Sequence, residues 1–345
     1  KQVLVSDNDR HVVVFGCDAE DNIGVQDPLL IRFSSQESLT TWDTQVTNTA
    51  GDLRVGSGSE IIVAVETRNQ ILVFTDISLH SMQFLGPPFT FGLAQVAENI
   101  TIVGPSAVTA VDDKVFWMGI GDFYVYTGQT QKIPCPVRAY IFDDINNSQI
   151  ELTVCALNST FSEVWWFYPS ANSNENDRYV VFNYLENTWA VGTLTRTAWH
   201  DRGLFNAPIA ASTDGYLYNH ETGQNDGSTN PPSAITSYIE SSQMSIGEGN
   251  NFVFLSKLIP DLTFENSISD APNATFTLQA RNFPGGAYLQ SDNSNVVQTA
   301  TTPVEQFTEQ TFIRLRGRSF ALKIESDKTD TQWRLGTPRV DIRPD

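Results

Sequence analysis

Acidic residues close to tryptophans are the side chains of this sequence that come nearest to a catalytic set. Glu163, Asp177 and Asp201 are the candidate acids. A pair of carboxyl groups can hydrolyse a glycosidic bond, one acting as acid and the other as base or nucleophile. The tryptophans that could stack on sugar rings are Trp165, Trp166, Trp189 and Trp199. A carbohydrate-binding receptor module and a glycoside hydrolase are therefore both open alternatives.

Two observations favour a non-enzymatic scaffold over these alternatives. Alternating aromatic residues on strands commonly fill the space between packed sheets. The segment Ser212-Thr213-Asp214-Gly215 is similar to the start of a sialidase Asp-box but lacks its tryptophan. We predict that the chain is not an enzyme.

The histidines, the cysteines and the glycine-rich loop of this sequence predict no metal, cofactor or phosphate site. Each of the pairs His200-Asp201 and His220-Glu221 joins an imidazole to a carboxylate, but adjacent strand residues point to opposite faces. The loop Gly56 to Ser59 lacks the lysine of a phosphate-binding loop. Three cysteines without regular spacing predict reduced, mostly buried thiols: Cys17, Cys135 and Cys155.

Short runs of β-branched and aromatic residues between turn formers predict an all-β protein. Val164 to Tyr168 and Arg178 to Tyr184 are two such runs, and Asp214-Gly215 marks a hairpin turn between two others. The hairpins recur at roughly 40–50 residues, the period of propeller blades. We therefore predict four or five β-propeller-like blades in residues 1–228. Helix is expected only as a short turn, at Val137 to Asp144 or Ser34 to Trp42.

Residues 233–345 have longer apolar runs and predict a C-terminal β-sandwich-like domain, with closure of the propeller as the alternative. The intervening Gly223 to Ser233 is rich in turn formers and predicts a linker. Gln290 to Thr302 predicts a polar loop. The first residues read as the inside of a strand, so we expect the N-terminal portion of the blade domain to be missing. No apolar run is long enough to span a membrane, and no signal peptide is visible.

The charge of the chain is unevenly distributed. The net charge is −19, but residues 311–345 contain eight Lys/Arg and five Asp/Glu, or +3, leaving −22 on the preceding residues. Phe312, Arg314, Arg316 and Arg318 fall on one face of a predicted strand, whereas Ile313 and Leu315 fall on the other. We predict that the second face is core and that the face with the arginines meets either solvent or a partner. As a partner surface, Arg314, Arg316 and Arg318 would form a subunit interface or pair with acids of another protein.

Several long segments resemble the tail proteins of tailed bacteriophages, especially short-tailed ones. The likeness is to the propeller-bearing proteins known as nozzle, tail tubular protein B or tail-stabilisation proteins. The segments that carry it are Val3-Leu4-Val5-Ser6-Asp7, Gln26-Asp27-Pro28-Leu29-Leu30-Ile31-Arg32, Met82-Gln83-Phe84-Leu85-Gly86-Pro87-Pro88-Phe89, Glu163-Val164-Trp165-Trp166-Phe167-Tyr168 and Trp333-Arg334-Leu335-Gly336-Thr337-Pro338-Arg339.

The resemblance implies a structural virion protein, made in the host bacterial cytoplasm and built into the tail. Such a protein forms a ring, commonly a homohexamer, next to an adaptor and to tail fibres or spikes. The genome leaves through its bore without sequence-specific binding, and the resemblance implies no catalytic residues and no cofactor. An acidic wall repels DNA phosphates, whereas clustered Lys and Arg bind them. We therefore expect much of the acidic body to face the bore.

Overall fold

The computed structural model describes residues 1–7, 9–245, 247–289 and 297–345. Nearly every regular element in it is a β-strand, so the predicted all-β fold is confirmed. The chain divides into two compact units, Lys1–Glu221 and Thr222–Asp345. The first unit consists of propeller-like blades and the second is a β-sandwich.

The first unit contains five antiparallel sheets in which consecutive strands are neighbours, four of them with four strands and the last with three. Blade 1 contains β1–β4: Gln2–Val5, Val12–Phe15, Leu30–Phe33 and Gly51–Arg54. Blade 2 contains β5–β8: Ile61–Glu66, Ile71–Thr75, Ser78–Gly86 and Thr90–Glu98. Blade 3 contains β9–β12: Val108–Val111, Lys114–Met118, Phe123–Tyr126 and Thr130–Ile133. Blade 4 contains β13–β16: Val154–Asn158, Glu163–Tyr168, Arg178–Asn183 and Thr188–Thr193. Blade 5 contains β17–β19: Ala198–His200, Ile209–Ala211 and Leu217–Asn219.

The first strand of each blade contacts the first strand of the next, in the series β1, β5, β9, β13 and β17. Blades packed in this way bury both faces of each inner sheet. One core cluster joins blades 1 and 2 through residues such as Phe15, Phe33 and Phe91. A larger one joins blades 2 to 4 and includes Trp117 and Trp166.

Helix is limited to one short segment and one 3₁₀ turn, both between blades 3 and 4 of the described chain. Helix α1 spans Arg138–Asp144, as predicted, and the 3₁₀ turn spans Ile150–Leu152. The alternative helix at residues 34–42 does not form, because that segment is a series of turns and bends after β3. No helix among the described residues has the length and apolar character needed to cross a membrane.

The second unit packs two antiparallel sheets against each other. Its longer strands alternate buried and exposed residues, which is the pattern of a sheet with one covered face. The strands are β20 Asn225–Asp226, β21 Ser233–Ala234, β22 Ser237–Glu240, β23 Met244–Ser245, β24 Val253–Ile259, β25 Leu262–Thr263, β26 Asn273–Arg281, β27 Thr299–Glu305, β28 Thr311–Gly317, β29 Ser319–Ser326, β30 Arg334–Leu335 and β31 Arg339–Pro344.

The sandwich core lies between these two sheets. One sheet has the order β22-β29-β26-β27 with β23 also on β29, and the other has the order β28-β24-β31. Leu255, Ile313 and Leu315 from the second sheet meet Phe276 and Ile324 from the first. The opposite face of β28-β24-β31 is left outside this core.

Two predictions about loops are wrong. Residues 223–233, predicted as a linker, belong to the second unit, where β20 and β21 pair as a hairpin. Residues 299–302, predicted as part of a polar loop, belong to β27, because their backbone pairs with β26. Apolar residues are sparse in this strand, because three of its seven residues are threonines. Residues 290–296 of the predicted loop lie outside the described residues.

Candidate interaction surface

The outer face of the β28-β24-β31 sheet carries an unusual concentration of arginine. Phe254 of β24 lies opposite Arg316 of β28 on one side and Arg343 of β31 on the other. Lys257 lies opposite Phe312 and Asp341 in the same way. We call this surface the arginine face, and it consists of Lys257, Phe312, Arg314, Arg316, Arg318, Arg339 and Arg343.

Two arginines of this face are paired within the chain. Arg316 donates from Nε to Asp345 Oδ2 at 2.9 Å and lies over the Phe252 ring at 4.0 Å. The hydrogen bond from Arg316 lowers the pKa of Asp345. Arg343 contacts Asp341 Oδ2 at 3.3 Å, and Ser256 Oγ donates to the same oxygen at 2.7 Å. The hydrogen bond from Ser256 is the main reason why the pKa of Asp341 is lowered.

The other cations exceed the available acids. Six Lys/Arg share the face with only Asp341 and Asp345, and Arg314 and Arg339 take part in none of the ion pairs formed among the described residues. Phe312, in their midst, is 79% exposed. Arginine and aromatic residues are the types enriched in protein interfaces. The face therefore has the composition of a contact surface, with excess positive charge.

The alternation predicted for β28 agrees with the structure except at its end. Arg314 and Arg316 are exposed, and Ile313 and Leu315 are buried in the core. Arg318, predicted on the same strand, lies beyond it in the turn to β29 because β28 ends at Gly317. Its guanidinium still reaches the Phe252 ring, at 4.7 Å.

The tryptophans of the sugar-binding alternative pack within and between blades. Trp166 is fully buried and donates from Nε1 to the Ala107 carbonyl of the preceding blade at 3.1 Å. Trp165 of blade 4 stacks on Trp199 of blade 5 with ring centroids 5.9 Å apart. Trp189 donates to the Pro134 carbonyl at 3.0 Å. The surfaces and N–H groups of these rings are therefore engaged by the fold itself.

The candidate acids of the glycosidase alternative are not gathered in one cleft. Glu163 begins β14, whereas Asp177 follows its far end and accepts hydrogen bonds from Ser170 at 2.7 Å. The length of a six-residue strand separates them, about 16 Å at 3.3 Å per residue. Asp201 lies near the Glu163 end, where it accepts from the Ser159 amide at 3.3 Å. Burial is the main cause of the raised pKa of Glu163.

Histidines and cysteines have structural surroundings. His220 accepts a hydrogen bond from Arg196 Nε at 2.8 Å, and burial, with the Arg196 charge, lowers its pKa to about 4. His11 is buried beside Thr49 Oγ1, at 3.1 Å. All three cysteines are free, and burial raises the pKa of Cys135 to about 11. Among the described residues no three His, Cys, Asp or Glu side chains gather as a metal site.

The loop Gly56 to Ser59 binds a carboxylate of its own chain. Ser59 donates its amide and its hydroxyl to Asp76, both at 2.8 Å. Donors engaged in this way are not free for a phosphate.

Comparisons with known proteins bear on the fold only. The sequence matches no protein-family model and no curated protein. The structure is similar to Hsv2 of Kluyvelomyces marxianus at 10% identity, covering 63% of this chain and 62% of that one, with a TM-score of 0.40. It is similar to the N-terminal domain of Nup159 at 10% identity, covering 91% and 60%, with a TM-score of 0.31. A glycoside hydrolase matches at 10% identity, covering 91% of each chain, with a TM-score of 0.28.

The chain spans less than two thirds of the length of the first two of these structures. At such low identities and TM-scores, the likenesses give no information on what this chain binds or does.

A second charged surface, which the sequence did not predict, lies at one end of the blade unit. The turns that join the first and second strands of neighbouring blades touch one another. The Asp7 amide donates to Glu66 Oε1 at 2.9 Å, and Arg68 lies 4.0 Å from Asp113. These turns therefore share one end of the blade unit, which we call the acidic turn end. Its acids are Asp7, Asp9, Glu66, Asp112, Asp113 and Asp201.

The acidic turn end also contains a cleft between blades 1 and 2. The cleft is about 290 Å³ and is lined by Asp9, Glu66, Met82 and Phe91, among others. Burial is the largest cause of the raised pKa of Glu66, and the charges of Asp7 and Asp9 add to it. No sequence pattern marks this surface, because its acids come from separate blades far apart along the chain.

Proposed function

We propose that the chain is a structural protein of a bacteriophage tail that works in several copies and forms a ring around the path of the exiting DNA. The observation that carries this proposal is the arginine face, where an exposed phenylalanine is surrounded by arginines on an otherwise acidic chain. A surface of this composition is suited to a protein partner. The sequence likeness to tail nozzle proteins supports the assignment of this surface to a phage tail. A hexameric ring, a virion location and tail neighbours such as an adaptor and fibres are parts of the same proposal.

The charge of the blade unit supports a passage for DNA. Residues 1–221 contain 11 Lys/Arg and 26 Asp/Glu, a net charge of −15. Phosphates are attracted to cationic walls and repelled by anionic ones, so an acidic bore lets a duplex slide. We expect the blade unit to line this bore.

The two end faces of the row of blades also support association with other polypeptides. Val3 and Val5 of blade 1 are 61% and 58% exposed, and Leu217 of blade 5 is 73% exposed. Covering apolar side chains with a neighbouring polypeptide lowers the free energy, because it removes them from water. In a scaffold protein, such faces can contact neighbouring subunits.

Electron microscopy combined with light scattering tests the proposal. The purified chain is expected to form rings with a central channel, in a concentration-dependent equilibrium with monomer. Mapping charge on the assembled ring should then give an acidic lumen. A chain that stays monomeric at every concentration, or a ring with a basic lumen, would contradict the proposal.

A further inference from the structure

The two charged surfaces of this chain are complementary, and each is left with charge that the chain itself does not neutralise. The arginine face has six cations and two acids. The acidic turn end has six acids, and Glu163 adjoins the corresponding turn of blade 4 as a seventh. Arg10, Arg68, Lys114 and Arg202 are the cations of the same turns and the residues next to them. Arg10 is already paired with Glu37, and Arg68 lies at the 4.0 Å limit from Asp113.

We propose that the arginine face of one copy docks on the acidic turn end of a second copy. The inference rests on the proposed multi-copy function and names the partner surface. One surface belongs to the sandwich unit and the other to the blade unit, so the contact is between unlike patches. Contacts of this heterologous kind generate rings when the rotation between copies closes.

The excess of acids at the acidic turn end is suited to binding a cation from a partner. Asp7, Asp9 and Glu66 come together from two blades, and the charges of Asp7 and Asp9 disfavour the ionised form of Glu66. Arg68 lines the same cleft, so the three acids outnumber the one arginine in its lining. An approaching guanidinium would relieve the repulsion among the acids. Met82, Phe84 and Phe91 line the cleft beside Glu66 together with polar residues, and aromatic side chains can stack on the flat, weakly hydrated guanidinium of arginine better than on a lysine ammonium.

The chemistry of the arginine face also argues for a protein partner over a nucleic acid. Asp345 and Asp341 sit within it and hold Arg316 and Arg343 in fixed positions. These pairs interrupt the positive charge that a continuous run of phosphates would need, and they leave Arg314 and Arg339 for individual acids of a protein partner. The net charge of −19 further disfavours a polyanionic ligand.

A charge-swap experiment tests the contact. One variant carries Arg314→Glu and Arg339→Glu, and the other carries Asp7→Arg and Asp113→Arg. Each alone should show self-association weakened by at least about tenfold in sedimentation velocity, because like charges then face each other. An equal mixture should restore association, since each altered surface meets an altered partner of opposite sign. The double variant Lys328→Glu, Arg334→Glu is the control for net charge.

Association of the unaltered chain should also weaken in about 1 M salt, where the Debye length falls to about 3 Å. Circular dichroism of each variant checks that the fold is retained. If the wild type associates and both variants associate as strongly as it does, the docking proposal is overturned and the multi-copy function is not. The docking proposal would equally fail if a labelled duplex binds the wild type, loses affinity in the arginine variant, and self-association is unaffected. A wild type that never associates would instead overturn the proposed function itself.

Discussion

Strand β14 of blade 4 and strand β28 of the sandwich both consist of large side chains, yet they place them oppositely. In β14, Val164 and Trp166 to Tyr168 are buried, because blades 3 and 5 cover its sheet on both sides. In β28, only Ile313, Leu315 and Gly317 are buried, because a single opposing sheet covers one side. A bulky side chain is therefore core or contact surface according to the number of layers around its sheet.

The largest effect expected from this comparison separates two aromatic residues. Trp166→Ala should lower the free energy of unfolding of the blade unit by about 3–5 kcal/mol, because it leaves a large cavity and an unpaired Ala107 carbonyl. Phe312→Ala, on the exposed side of β28, should change stability by no more than about 0.5 kcal/mol. Urea denaturation followed by circular dichroism measures both. Similar losses in the two variants would contradict the division into core and surface.

A second pair sharpens the comparison within a single strand. Leu315→Ala should destabilise the sandwich by about 2–5 kcal/mol, since the side chain belongs to its core. Arg314→Ala, one residue earlier and on the opposite face, should leave stability within about 0.5 kcal/mol of wild type. The same denaturation experiment applies. If Arg314→Ala proved the more damaging change, the orientation of β28 would have to be reversed.

A third prediction concerns the imidazole of His220, which packs on Trp199 and accepts a hydrogen bond from Arg196. The folded pKa of His220 is about 4, below its ordinary value, so the unfolded chain takes up the proton first as pH falls. The stabilising contribution of neutral His220 is therefore complete above about pH 6.5 and is lost as the pH falls towards 4. His220→Gln should flatten this part of the stability profile, and His200→Gln, which alters an exposed histidine of the same blade, serves as the control.

The smallest effect is expected at Glu163, where the sign is opposite. Burial raises the folded pKa of this carboxyl, so the folded state keeps its proton at a pH where the unfolded chain has lost it. Stability should therefore fall as pH rises from about 4.5 through the folded value. Glu163→Gln should remove this fall and gain stability over wild type as the pH increases. Parallel pH profiles of the two proteins would refute this account.

The sequence was sufficient for the fold because local signals agreed with it. Runs such as Val164 to Tyr168 and turns such as Asp214-Gly215 predicted strands and hairpins that the structure contains. The two faces of β28 were also predictable, since Ile313 and Leu315 alternate strictly with arginines. The two wrong predictions about loops fall on segments with a weak hydrophobic pattern. The threonines of β27 give it no clear apolar face, and residues 223–233 pair as a hairpin despite their linker composition.

Surfaces built from several blades could not be predicted in this way. The acidic turn end brings Asp7, Glu66 and Asp113 together from three blades, with more than 40 residues between successive members. No short window of sequence records that proximity. The packing of the tryptophans was undetermined for a related reason, since a ring on a strand is exposed or covered depending on whether another blade follows.

The hydrophobic clusters described above each lie entirely within one unit, two in the blades and one in the sandwich. The two blade clusters both include residues of blade 2, which couples them, whereas the sandwich cluster includes no residue of the blades. Separate domains commonly depart from a single all-or-none transition. We therefore expect the chain to lose its structure in two calorimetric steps. A core substitution should move the step of its own unit and leave the other in place, so one midpoint temperature does not describe this molecule.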